Sequence, residues 1–300
     1  MNNFILIAIA ILAGAAARKF KKLPQNSYVA VNFWVIYIAL PAIALKYIPQ
    51  IKWSTELIIP FAMPLFIFGL SFIFIEIISR FIQLNKATKA VLILLSGLGN
   101  TSFLGFPLTE AYYGKEGLEI AILCDQSSFL IVSTLGVFIA AKASDTGNFS
   151  ISSIVKKVIS FPPFLAFIAA FTLPQLVDLS PINPLLDILG ATLVPMALFS
   201  VGLQLQLKDW KADVRLVSLS LLFRLFIAPL SVFIILFALN ISSLTAKVSV
   251  FEASMSPMVT PTIIAAQYGL NNKLASLILG IGIIIGFFST FMWSEIIQFL

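Results

Sequence analysis

Two polar stretches punctuated by glycine or proline interrupt apolar runs: Asn100-Thr-Ser-Phe-Leu-Gly-Phe-Pro107, and Ser254-Met-Ser-Pro-Met-Val-Thr-Pro261. Pro107 and Pro261 lack an N–H and crowd the preceding turn, and Gly105 gives a helix no support. In lipid, a broken backbone is tolerated only where protein or a water-filled cavity satisfies the freed groups. A helix that restarts after such a break presents unpaired N–H groups and about half a positive charge. Two such ends converging near the membrane midplane favour an anion. The half-helices after Pro107 and Pro261 are the candidates. Asn100, Thr101, Ser102, Ser254, Ser256 and Thr260 place short donors and acceptors around them, with Pro257 inside the second break. The alternative is that these side chains only cap broken ends.

Three ionisable residues lie well inside the apolar runs, away from their ends: Asp125, Arg224 and Glu252. A charge at that depth is expensive and is expected to face a cavity or a partner. A charged Asp125 would repel an anion, so its functional reading is a proton carried together with the substrate. Its structural reading is an ion pair or a hydrogen bond to broken backbone. Gln126 beside it is a polar ligand contact. Glu252 precedes the second break and follows the same logic. Arg224 either neutralises Asp125 or Glu252, the favoured reading, or meets a substrate carboxylate as a two-pronged donor. Glu76 and Arg80, four residues apart, read as a snorkelling pair at a membrane surface. No catalytic residue, metal site or cofactor is expected. The chain has no His, so neither a Ser-His pair nor a His-metal site can be built, and no Gly-rich nucleotide loop is present.

The elements that must position these residues are membrane spans. The sequence is 60% hydrophobic and 11% charged, with a mean hydropathy of +1.04. At about 20 apolar residues per span, the pattern predicts an all-α polytopic membrane protein with ten transmembrane helices. The expected spans are 4–18, 28–46, 57–79, 90–113, 118–141, 159–177, 185–206, 214–239, 245–268 and 273–298. The single Cys124 gives no disulfide framework. Basic residues follow the first apolar run instead of preceding it, the reverse of a signal peptide.

Of the 19 Lys and Arg residues, fourteen fall in the loops after spans 1, 3, 5, 7 and 9. Only Lys46, Lys52, Lys115 and Lys247 fall on the other side. Those five loops are therefore expected to be cytoplasmic, with both termini outside. Contact of the basic loops with lipid headgroups accounts for the positive charge, and nucleic acid is not an expected partner.

An offset of 154 residues separates Pro107 from Pro261. The same offset lays Leu40-Pro41-Ala42 on Val194-Pro195-Met196 and Ser102 on Ser256, and Tyr113-Gly114 meets Tyr268-Gly269 with a one-residue slip. This predicts an internal repeat: 1–141 and 159–300, joined by a cytoplasmic linker at 142–158. Each half holds five spans, so the second is inverted relative to the first, with broken helices 4 and 9 in equivalent places. Pro41 and Pro195 are expected to kink the second and seventh spans.

These pieces resemble the auxin efflux carrier family, whose plant branch is the PIN-formed proteins and whose bacterial members are permeases. The resemblance rests on Leu40-Pro41-Ala42, on Gly99-Asn100-Thr-Ser-Phe-Leu-Gly-Phe-Pro-Leu108, on Ala253-Ser-Met-Ser-Pro257 and on Asp125-Gln126. The family often has an Asn shortly after the proline of span 9, and Thr260 stands in that neighbourhood here. The resemblance implies that spans 4 and 9 cross, that spans 1, 2, 6 and 7 form a scaffold, and that the crossing bundle moves against it like an elevator. It also implies a homodimer through the scaffold. The expected function is secondary transport of small organic anions across the cytoplasmic (inner) membrane, with dicarboxylates such as malate or malonate, or auxin-like weak acids, as substrates. A sodium-coupled anion symporter of similar fold is the alternative. A non-transporting sensory module would need a soluble output domain, for which the loops leave no room.

Overall fold

A chain buried in lipid must close its own backbone hydrogen bonds, which a helix does segment by segment. Helices accordingly make up the regular structure of the computed structural model, which describes residues 2–19, 23–24, 27–51, 54–144, 152, 162–204 and 213–300. In order they are α1 (Asn2–Ala17), α2 (Ser27–Gln50), α3 (Thr55–Ile78), α4 (Lys86–Gly97), α5 (Thr101–Ala143), α6 (Pro162–Leu176), α7 (Ser180–Gln204), α8 (Val214–Ala238), α9 (Leu244–Ala253), α10 (Thr260–Gln267) and α11 (Asn272–Phe299). Among the described residues six of them, α2, α3, α5, α7, α8 and α11, are long and apolar enough to cross a membrane. The expected linker at 142–158 lies largely outside the described residues. So do Lys21, Lys22, Lys52, Lys156, Lys157, Lys208 and Lys211 from the charge count.

Helix length explains where the interruptions fall. The 12 residues of α4 and the 10 of α9 reach about 18 and 15 Å at 1.5 Å per residue, roughly half of a hydrocarbon core about 30 Å thick. The side chains of Asn85 and Ser243 cap their starts, accepting from Thr88 N and Ala246 N. The chain of α5 turns back on itself at Gly114. Gly114 takes φ 67° and ψ −164°, a backbone state that favours glycine. No loop is needed there, and the fourth and fifth expected spans run into one another.

Three helices share a local device. Five-residue π turns at Val35–Ala39 in α2, Thr101–Gly105 in α5 and Phe223–Ile227 in α8 each end two residues before a proline: Pro41, Pro107 and Pro229. A proline ring clashes with the carbonyl four residues earlier and leaves it without a donor. In each case that carbonyl lies in the widened turn, so the helix continues instead of breaking.

α1, α2, α6 and α7 pack on one another, and α3, α4, α5, α8, α9, α10 and α11 form a second, larger group. In the first group α1 lies along α7 at backbone contact. A Cβ on Gly202 would collide with Ile11 O, and one on Gly14 with Phe199 O. Asn32 of α2 accepts from Ser200 of α7, and Gln204 donates to the same hydroxyl at 3.1 Å. The groups meet where the start of α5 lies against α7. Glu76 does not pair with Arg80 as expected. It bonds Lys89 of α4 at 2.6 Å, because α4 packs against α3 and brings an ammonium to the carboxylate.

Candidate functional site

The two interruptions meet. After α4, Leu98 is extended (φ −115°, ψ 123°) and Gly99 forms an antiparallel bridge with Pro257. Asn100 N donates to Ser256 O at 2.8 Å, and Met258 N donates to Leu98 O at 2.9 Å. In this pairing the hydrogen bonds come from the residues flanking the bridged pair, so the missing N–H of Pro257 leaves no gap. The pairing also satisfies backbone that two broken helices would otherwise leave bare.

The first helix restarts earlier than the sequence suggests. Asn100 caps it, its Oδ1 accepting from Phe103 N at 3.2 Å, and Gly105 N reaches back to Asn100 O at 2.9 Å. The half-helix N-terminus is therefore at Thr101, not after Pro107. The widened turn takes up the proline's steric conflict, which keeps Pro107 helical. The second restarts at Thr260, with Pro261 in its first turn, so it too begins before its proline and not after it.

The two arms of α5 bring Thr101 to Asp125, the threonine hydroxyl donating to Oδ1 at 2.6 Å, with Ser102 beside the same carboxylate. Asp125 is 5% exposed. Further along the same half-helix Thr109 donates to Glu252 Oε1 at 2.6 Å. Glu252 has 0% exposure, and its carboxylate fills the place that a side chain on Gly105 would take. Ser254 commits its hydroxyl to Phe251 O at 2.6 Å, which is the capping role. Ser256 packs against Gly286 and Pro257 against Gly282, both on α11.

Arg224 corrects the sequence-based reading. Among the described residues it forms no ion pair with Asp125 or Glu252. Its guanidinium donates from Nε to Met255 O at 3.1 Å, from Nη1 to Gly97 O at 3.4 Å, and from Nη2 to Ala253 O. It binds the broken backbone itself, because the ends of α4 and α9 are closer to it than either carboxylate. The guanidinium also lies against Gly99, where a Cβ would stand 3.0 Å from Nη2.

Among the described residues, four enclosed side-chain atoms have no hydrogen-bond partner: Asn100 Nδ2, Gln126 Oε1, Glu252 Oε2 and Ser256 Oγ. All four belong to residues singled out from the sequence, and all lie at the junction or next to a residue bonded to it. One is a donor, two are acceptors and one is a hydroxyl that does either.

A cavity of about 300 Å³ lies between the two helix groups. Phe106 and Pro107 line it together with Ile43, Tyr47 and Val194. Lys46, Asp187, Glu110 and Lys115 supply its charge. Lys46 of α2 and Asp187 of α7 form an ion pair in its lining. The sequence reading did not single out these four residues. The signal available was the small set of lysines on the sparsely charged side of the membrane, which named Lys46 and Lys115 as topology markers only.

A family model described as membrane transport protein matches residues 1–294. The chain is 28% identical over 289 residues to an uncharacterized transporter of Methanocaldococcus jannaschii, covering 91% of each chain. It is 25% identical over 300 residues to an uncharacterized transporter of Methanothermobacter thermautotrophicus, covering 99% of this chain and 98% of the other. The match spans both interruptions, the membrane-length helices and the buried charges between them, so this multi-pass membrane protein belongs to the membrane transport protein family, that of the auxin efflux carriers.

Proposed function

We propose that the protein is a secondary carrier of small organic anions, with its substrate site at the junction of the two broken helices. The observation that carries this reading is the set of unpartnered atoms at Asn100, Gln126, Glu252 and Ser256. A buried polar atom without a partner costs about 1–3 kcal/mol, and four of them, at the broken-helix junction or next to a residue bonded to it, are what a polar ligand would satisfy. The half-helix starts at Thr101 and Thr260 add positive potential, which favours a carboxylate. Thr101, Ser102, Asp125, Pro107, Pro257 and Pro261 shape the site around it.

The architecture in this reading is ten spans in two inverted halves, 1–141 and 159–300, in the cytoplasmic membrane with both termini outside. Spans 4 and 9 are the broken pair: α4 with the first arm of α5, and α9 with α10. The group α1, α2, α6 and α7 serves as scaffold and homodimer surface, and the larger group slides against it. The cavity between the groups, floored by Phe106 and Pro107, supplies the approach to the site from the non-cytoplasmic side. Asp125, held neutral by a proton while the anion is bound, links transport to the proton gradient. Dicarboxylates such as malate and malonate, and auxin-like aromatic weak acids, are the substrate classes.

The test is uptake of labelled malate, malonate and an aromatic weak acid into proteoliposomes by the wild type and by Asn100→Ala. Saturable uptake of one acid, lost in the variant, supports the reading. No saturable uptake of any of them by folded protein counts against it.

A further inference from the structure

The junction brings together two helix C-termini as well as two N-termini. The last carbonyls of a helix have no intrahelical donor, and each C-terminal end carries about half a negative charge. Gly97 ends α4 and Ala253 ends α9, and Met255 follows within the second break. Arg224 donates to the carbonyls of all three. It is 2% exposed. Its one full positive charge matches the sum of two half-charges.

The guanidinium is also held in place. Its π turn frees the carbonyl of Leu225, four residues before Pro229. That carbonyl accepts from Ser289 Oγ at 3.0 Å and Trp293 Nε1 at 2.8 Å, both on α11. Gly99 leaves the space that the guanidinium fills.

We infer that Arg224 is a built-in cation of the junction, neutralising the two half-helix C-termini so that the carrier needs no sodium ion there. This rests on the reading of the chain as a carrier and adds a positioning residue to it. A sodium ion takes oxygen ligands, and the carbonyl oxygens that broken helices would offer one are already bonded to the guanidinium. The half-helix N-termini keep their positive potential, with the Asp125 and Glu252 carboxylates held by hydroxyls of the first half-helix.

Three measurements test this. The first is the thermal midpoint of the detergent-purified protein in sodium chloride and in choline chloride at equal ionic strength. It reads the junction without needing a substrate. The wild type is expected to show no sodium-specific rise, and such a rise would overturn the inference. The second compares Arg224→Lys, which keeps the charge, with Arg224→Met, which removes it. The Met variant is expected to lose about 5 °C or more of midpoint, or to fail to accumulate folded, and the Lys variant to recover most of the loss. Equal behaviour of the two variants would overturn the inference. In proteoliposomes, uptake of whichever acid is transported is expected to change by less than about twofold, under 0.5 kcal/mol, when choline replaces sodium. If no acid is transported, the carrier reading fails, and the midpoints still decide the role of Arg224.

Discussion

Thr101 and Thr109 serve two different carboxylates from one half-helix. Each donates a hydroxyl at 2.6 Å, to Asp125 and to Glu252, and neither carboxylate has an ion-pair partner among the described residues. A hydrogen bond to a charged group is worth about 1.5–3 kcal/mol. Thr101→Val, nearly equal in volume, is therefore expected to slow uptake roughly tenfold to a hundredfold while leaving the protein folded. Initial rates beside a size-exclusion profile check it. Asp125→Asn has a different expected outcome. It keeps shape and is permanently neutral, so it should still bind substrate but lose any acceleration by an inward proton gradient. Uptake measured with and without the gradient decides. An undiminished response would show that Asp125 does not carry the proton.

The elements are held by close approach as much as by burial. Gly105 of α5 faces the Glu252 carboxylate so closely that an added methyl group would collide with both oxygens. Gly69, exposed on α3, has nothing within 4 Å of the same position. Overpacking costs about 1–3 kcal/mol, so Gly105→Ala is expected to lower the thermal midpoint by roughly 3–10 °C. Gly69→Ala should raise it or leave it, since Ala favours a helix interior over Gly by about 0.5–1 kcal/mol. A fluorescence melting series on both variants tests the contrast. The α1–α7 contact is stricter, because backbone meets backbone at Gly14 and Gly202 and neither side can swing away. Gly202→Val is expected to separate the two helices and abolish recovery of monodisperse protein.

For the molecule as a whole, sidedness is the property that ties the two halves together. Cys124 is buried, so a Cys124→Ser background offers a clean start for labelling. In intact cells a membrane-impermeant maleimide is expected to react with Lys247→Cys and not with Lys273→Cys, which becomes reactive only when the membrane is opened. Labelling of both or of the reverse pair would overturn the sidedness that puts both termini outside.

Much of the architecture was legible because its signals are local. Hydropathy marks where helices run. Pro107, Pro257 and Pro261 with Gly105 mark where two of them cannot run regularly, since a missing N–H or a missing Cβ acts on its own turn. Asp125, Glu252 and Arg224 stand out because any charge in an apolar run is costly wherever the chain goes. Partnership was not legible. The choice of Arg224 for the carbonyls of Gly97, Ala253 and Met255, of Glu76 for Lys89, and of Lys46 for Asp187 depends on which helices pack together. The exact start of the half-helix at Thr101 depended on Asn100 being pinned to Ser256, far away along the chain. The sequence by itself determined the membrane class, the two breaks and the set of costly polar residues. Only the tertiary structure decided which of them meet, because backbone carbonyls, the ligands of Arg224, are the same at every position and carry no mark in the sequence.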